Sequence, residues 1–185
     1  HVDGINSRMA LYITSDQNAS GRVNVARNTI NFTVTANQVT TVRLTNTSSP
    51  SNLVAYNGQT AGIGVNKGIH ILSDRPVVVY AHILNSARSG PTLVLPTTVL
   101  GREYYVASYG SVSSTGGSVR RSQFAVVATQ DATTVEIIPN VSDASNTYAA
   151  NTPFQVVLNK GDVFQYQSAS DNDLTGTHIK SIATA

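Results

Sequence analysis

The side chains able to do chemistry in this chain are few. There is no cysteine, so thiolate metal sites, disulfides and thiol nucleophiles are excluded, and only Glu103 and Glu136 are glutamates. His70 and His178 sit in matched surroundings, Gly68-Ile69-His70-Ile71-Leu72-Ser73 and Gly176-Thr177-His178-Ile179-Lys180-Ser181. Imidazoles that titrate near neutrality at equivalent places would make a shared ligand site or a pH switch, whereas a lone histidine flanked by β-formers is more often a polar member of an exposed strand face. His82 follows an apolar strand, with Asp74 and Glu103 as the nearest acids in sequence. A Ser–His–Asp arrangement needs its serine on a strand-to-helix elbow, and no Gly-x-Ser-x-Gly of that kind occurs. Glycoside hydrolysis needs two carboxyl groups at a set separation, for which neither glutamate has a diagnostic setting. Asp171-Asn172-Asp173 is the densest oxygen cluster, but it lacks the length and closing glutamate of an EF-hand loop and reads as an Asx turn. The expectation is a chain with no catalytic, cofactor-binding or metal-binding residues.

What must position these residues is a β framework. Charged residues make up only 12% of the 185 positions, about half the usual fraction, and Ser, Thr, Asn and Gln take their place. The formal charge of +2 comes from 12 cations spread among 10 anions, with Arg120-Arg121 the one adjacent cationic pair, so the footprint of a nucleic-acid binder is missing. No run reaches the length of a membrane span; the longest apolar stretch is Pro76 to Ala81. A mixed neutral polar surface of this kind is frequent in secreted and cell-surface proteins, and the missing cysteines point to a bacterial rather than a eukaryotic source. The chain opens at His1 without a methionine or an export signal and reads as a mature or excised segment.

β-branched and aromatic runs bounded by turn residues predict strands near Ala10–Ser15, Arg22–Ala26, Asn31–Thr35, Thr40–Thr45, Ile69–Ser73, Val77–Leu84, Thr92–Thr97, Glu103–Ser108, Gln123–Thr129, Thr134–Ile138, Pro153–Leu158, Asp162–Gln167 and Thr177–Ser181. No segment has helical apolar spacing behind a cap. The pattern also repeats: Phe32–Gln38 lies over Phe154–Lys160 without a gap, the hairpin Ile13–Val25 resembles Val127–Ile137, and the two His segments align further on. The reading that follows is all-β, antiparallel sandwich-like tandem units, with β-propeller blades as the alternative. The first unit is expected over 1–121 and the start of a second, truncated one over 122–185. On that reading Thr177–Ser181 lacks the strand that Val77–Leu84 supplies in the first unit, and its edge is left open.

Four stretches stand out together: Ser73-Asp74-Arg75-Pro76-Val77-Val78-Val79-Tyr80-Ala81, Leu95-Pro96 with Leu100-Gly101-Arg102-Glu103-Tyr104-Tyr105-Val106, Phe124 to Val135, and Leu158 to Gln165 continuing to Asp173-Leu174-Thr175-Gly176-Thr177. At these stretches the chain resembles the IgGFc-binding protein N-terminal domain family. The resemblance implies a β-rich extracellular module of large surface or secreted proteins. It carries no residue-level antibody-contact motif onto this chain. The long polar loops Thr47–Asn66, Tyr109–Arg121 and Asn140–Thr152, rich in Tyr, Ser, Gly and Asn, are the expected recognition surfaces. Function is therefore read as a non-catalytic extracellular or cell-surface binding and adhesion module with a protein or glycan partner. The alternative is a structural spacer or assembly subunit that joins neighbouring copies through exposed strand edges. No nucleic-acid partner or membrane insertion is expected.

Overall fold

A computed structural model describes residues 7–26, 28–44, 61–85, 88–110, 121–169 and 171–183. Among them there is no α-helix; one 3-10 turn, Thr97–Val99, accompanies fourteen strands. The contacts separate the chain into two compact units, one of residues 1–55 and 66–100, the other of 56–65 and 101–185. Residues 101–110 and 121, expected with the first unit, fall with the second, together with residues 61–65 ahead of them.

The first unit contains β1 (Ser7–Thr14), β2 (Ala19–Val25), β3 (Asn28–Val34), β4 (Val39–Arg43), β6 (Ile69–Ser73), β7 (Val78–Asn85) and β8 (Arg88–Leu93). They form two antiparallel sheets, ordered β4-β1-β7-β8 and β3-β2-β6. Alternation along each strand turns one row of side chains inward. Leu11, Ile13, Ala19, Val23, Phe32, Val34, Val42, Val79 and Ala81 meet there as one apolar cluster drawn from both sheets, the arrangement of a β-sandwich. Gly21 is needed where it stands: a Cβ would come within 2.4 Å of the Phe32 ring and closer still to the Leu72 carbonyl oxygen. The strand at Thr92–Thr97 proves to lie earlier, as β8. β8 contains Pro91 and ends its sheet among the described residues, a place where a proline's missing N–H is tolerated.

The second unit contains β5 (Gly62–Gly64), β9 (Glu103–Tyr105), β10 (Gln123–Val127), β11 (Thr133–Ile138), β12 (Phe154–Leu158), β13 (Val163–Gln167) and β14 (His178–Ala183). Its sheets are ordered β12-β11-β14-β9 and β10-β13-β5. Val135, Ile137, Val156, Leu158, Phe164, Tyr166, Leu174 and Ile179 fill its core, with the Phe124 and Tyr166 rings stacked at 5.2 Å and those of Tyr148 and Phe154 at 3.9 Å. The Tyr166 hydroxyl donates to the Val141 carbonyl at 2.7 Å, which satisfies the one polar atom of a fully buried ring.

Within the units, β3-β2-β6 and β12-β11-β14 share an order, as do the pairs β4-β1 and β13-β10. Turn geometry fixes the correspondence. The Asn37 N–H donates to the Ser15 carbonyl and the Gly161 N–H to the Ala128 carbonyl, and both donors have positive φ, 61° and 87°. The Ala36 N–H donates to the Asn18 side chain as the Lys160 N–H does to Asp131. Phe32 therefore corresponds to Val156 and Ile30 to Phe154, so the sequence match that placed Phe32 on Phe154 is slipped by two residues. The slip keeps side-chain parity, which is why alternation alone did not expose it.

The C-terminal strand is not an open edge. β14 pairs with β11 on one side and with β9 on the other, His178 opposite Tyr105 and Lys180 opposite Glu103. The expectation failed because β7 does not pair with β6. After Asp74-Arg75-Pro76 the chain crosses to the other sheet and β7 lies against β1.

The positive φ of Gly161 makes a prediction. Gly161→Ala forces a Cβ into the left-handed region and should lower stability by about 1 kcal/mol, with Gly161→Asn costing less, since Asn holds the same conformation at position 37. Urea unfolding of both variants checks the order.

Candidate functional site

The residues singled out from sequence do not gather into one constellation. His70 lies in β6 opposite Asn24. His178 is partly buried in β14, its Nε2 at 2.7 Å from Glu103 Oε1 and its ring stacked on Tyr105 at 4.9 Å. The two matched histidines thus have different surroundings, because β9 stands beside only the second. His82 Nε2 meets Ser89 Oγ at 2.7 Å, while the carboxylates that a triad would borrow are used elsewhere. Asp74 accepts the Ser20 N–H at 2.8 Å, Glu103 holds His178, and Glu136 accepts from Gln155.

Asp173 is saturated by its own neighbourhood. One of its oxygens accepts from the Ser108 hydroxyl at 2.7 Å and from the Thr175 N–H and hydroxyl at 2.9 Å each. The Ser108 hydroxyl bond, then the Thr175 N–H, hold this carboxyl below its ordinary range against a smaller opposing effect of burial. It fastens the segment after β9 to the turn before β14, while Asp171 stays exposed. No cluster of three or more His, Asp or Glu side chains able to hold a metal occurs among the described residues.

Of the three expected recognition loops, 45–60 and 111–120 lie outside the described residues. The third, Asn140–Thr152, is folded back on itself. Asp143 is fully buried and accepts the N–H groups of Ser145 at 2.9 Å and Tyr148 at 2.6 Å, together with the Ser145 hydroxyl. Burial works to raise its pKa, but the Ser145 hydroxyl and the backbone donors of Tyr148, Ser145 and Thr147 outweigh it and hold the carboxyl below the usual range. Asn140 donates to the Asp173 and Thr175 carbonyls at 3.0 and 2.9 Å and accepts from the Thr177 hydroxyl at 2.7 Å. These bonds fix the loop's backbone, while Ser145, Asn146 and Thr147 at its tip stay exposed.

The surface that stands out instead is the outer face of the β4-β1-β7-β8 sheet. Register places Thr41, Tyr12, Tyr80 and Leu93 in one row across all four strands, flanked by the rows Val39, Thr14, Val78 and Arg43, Ala10, His82, Pro91. Tyr12, Tyr80 and Leu93 are 38%, 47% and 49% exposed, and Val39 and Val78 beside them are also open to solvent. Aligned rows of this kind make a contiguous apolar and aromatic area, in contrast to singly scattered exposed residues. Rigid tyrosine rings with a polar tip suit it to macromolecular contact. The His82 ring, 6.1 Å from that of Tyr12 and bonded to Ser89, supplies a polar margin. Sequence reasoning passed over this face, although its signal was available. Val77 to Ala81 is apolar at both parities, so β7 had to bury one row and present the other.

A family described as IgGFc binding protein matches residues 90–184, just over half of the chain. No curated protein and no solved structure matches.

Asp143 supplies a test of the folded loop. Its depressed pKa means that it contributes stability above the unfolded carboxyl value, a contribution lost as pH falls from about 4 through the folded value. Asp143→Ala leaves buried donors unmatched and should cost about 2–4 kcal/mol at neutral pH. The variant should also lose part of the acid sensitivity of the wild type, as read by urea midpoints between pH 7 and pH 3.

Proposed function

The chain belongs to the IgGFc binding protein family, and from that premise we propose that it is a non-catalytic extracellular binding module whose protein ligand docks on the outer face of β4-β1-β7-β8. The observation that carries this reading is the exposed row Tyr12–Tyr80–Leu93 with its apolar flanks. Interface cores are depleted of charge and enriched in aromatic residues, and this face has that composition in a chain otherwise wetted by neutral polar groups. The dispersal of His70, His82, His178 and the carboxylates into separate structural pairings supports a non-catalytic role. We read the two units as related copies within a larger surface or secreted protein, since they share partial strand order and turn hydrogen bonds. Adhesion at a cell surface is the biological setting that fits a module of this type.

The family description makes the Fc fragment of immunoglobulin G the first probe, with extracellular-matrix proteins and a glycan array alongside. Saturable binding to immobilised chain is expected for a protein probe. Tyr12→Ser with Tyr80→Ser should weaken it at least tenfold, because two central aromatic anchors are removed, while the thermal melt stays close to wild type. Binding that is indifferent to these substitutions, or binding confined to glycans, would contradict the proposed surface.

A further inference from the structure

Among the described residues, one edge in the second unit lacks the strand that its counterpart in the first unit has. β1 is flanked on both sides, by β4 and by β7. β10 corresponds to β1 and β13 to β4, and among the described residues β10 pairs with β13 alone. The hydrogen-bond phase matches too. Ala128, paired with Asp162, turns its backbone groups towards β13, so Phe124 and Val126 do the same and Gln123, Ala125 and Val127 turn theirs outward. In β1 the residues of that outward phase are Tyr12 and Thr14, which face β7.

The cores tell the same story. Leu11 and Ile13 are 1% and 0% exposed because Val79 and Ala81 of β7 close over them. Phe124 and Val126, their counterparts, remain only partly buried. Among the described residues the second unit therefore has an unpaired row of backbone donors and acceptors beside an incompletely covered apolar row, which is the template for strand addition.

We infer that the outer edge of β10 is an acceptor site for an extended donor strand that the described residues do not supply, added antiparallel in the place that β7 holds in the first unit. The first unit defines the donor's chemistry. It carries small or β-branched apolar residues at alternate positions, as Val79 and Ala81, which come to lie over Val126 and Phe124. It carries a free backbone row opposite Ala125 and Val127. The donor is not β7 of a second copy, because that strand is already held between β1 and β8 with Val79 and Ala81 buried. This inference stands independently of the sheet face assigned above.

The test uses the chain as it is and a fluorescent peptide of residues 76–85, read by anisotropy. Saturable binding is expected. It should fall at least tenfold when the peptide's Val79 and Ala81 equivalents are replaced by Asp. On the protein, Ala125→Pro removes an N–H that points away from β13, a position where an edge strand tolerates proline, so the melt should hold while peptide binding is lost; Val127→Pro serves as the second variant. Tyr12→Ser with Tyr80→Ser should leave peptide binding unchanged. No saturable binding, or equal binding by the folded proline variants, overturns the inference. Self-association of the chain without peptide that is broken by Ala125→Pro would make the occupant a second copy and overturn it equally.

Discussion

Every strand in this protein has to settle two edges and two faces, and that requirement organises the rest. Backbone N–H and C=O groups kept from water need partners, and apolar side chains need a covering layer. A sandwich meets both demands for its central strands. β1 between β4 and β7, and β11 between β12 and β14, are paired on both sides and contribute fully buried core residues, Ile13 and Ile137. Among the described residues the demand is met incompletely in two places: an outward face that is apolar where a solvated strand would be polar, and the edge of β10, which has no neighbour there.

Those two places differ in physical kind. On the β4-β1-β7-β8 face the backbone is satisfied and only side chains are offered, so recognition there depends on shape and on the Tyr12 and Tyr80 rings. At β10 the offer is the backbone itself, with specificity left to the donor residues that would lie over Phe124 and Val126. A face of the first kind selects by side-chain complementarity; an edge of the second kind selects by strand register and by the donor's alternate residues. A chain with 12% charged residues has little electrostatic steering to add to either.

Strand existence and parity were legible in the sequence because period-two alternation is a local property: Phe32 and Val34, or Val156 and Leu158, declare an inward row on their own. The register in which the two units match was not legible, since a two-residue slip preserves parity and only the turn geometry at Asn37 and Gly161 reveals it. Sheet membership was not legible either. The crossing at Asp74-Arg75-Pro76 sends β7 to β1 instead of β6, so the open edge fell on β10 while β14 gained β9. The loop Asn140–Thr152 read as adaptable from its composition, yet Asp143-Ala144-Ser145 is an acid-initiated turn whose burial depends on Tyr148 and Tyr166, residues brought in by tertiary packing.

β1 and β10 hold equivalent positions and, among the described residues, one is paired on both edges and the other on one. Amide hydrogen exchange by NMR on the chain alone tests it residue by residue. Ala10, Tyr12 and Thr14 should be as slow to exchange as Leu11 and Ile13. In β10, Phe124, Val126 and Ala128 should be protected, while Gln123, Ala125 and Val127 exchange at least tenfold faster than these neighbours, as unpaired amides do. Uniform protection along β10 would mean that its outer edge is already occupied, and would contradict the claim.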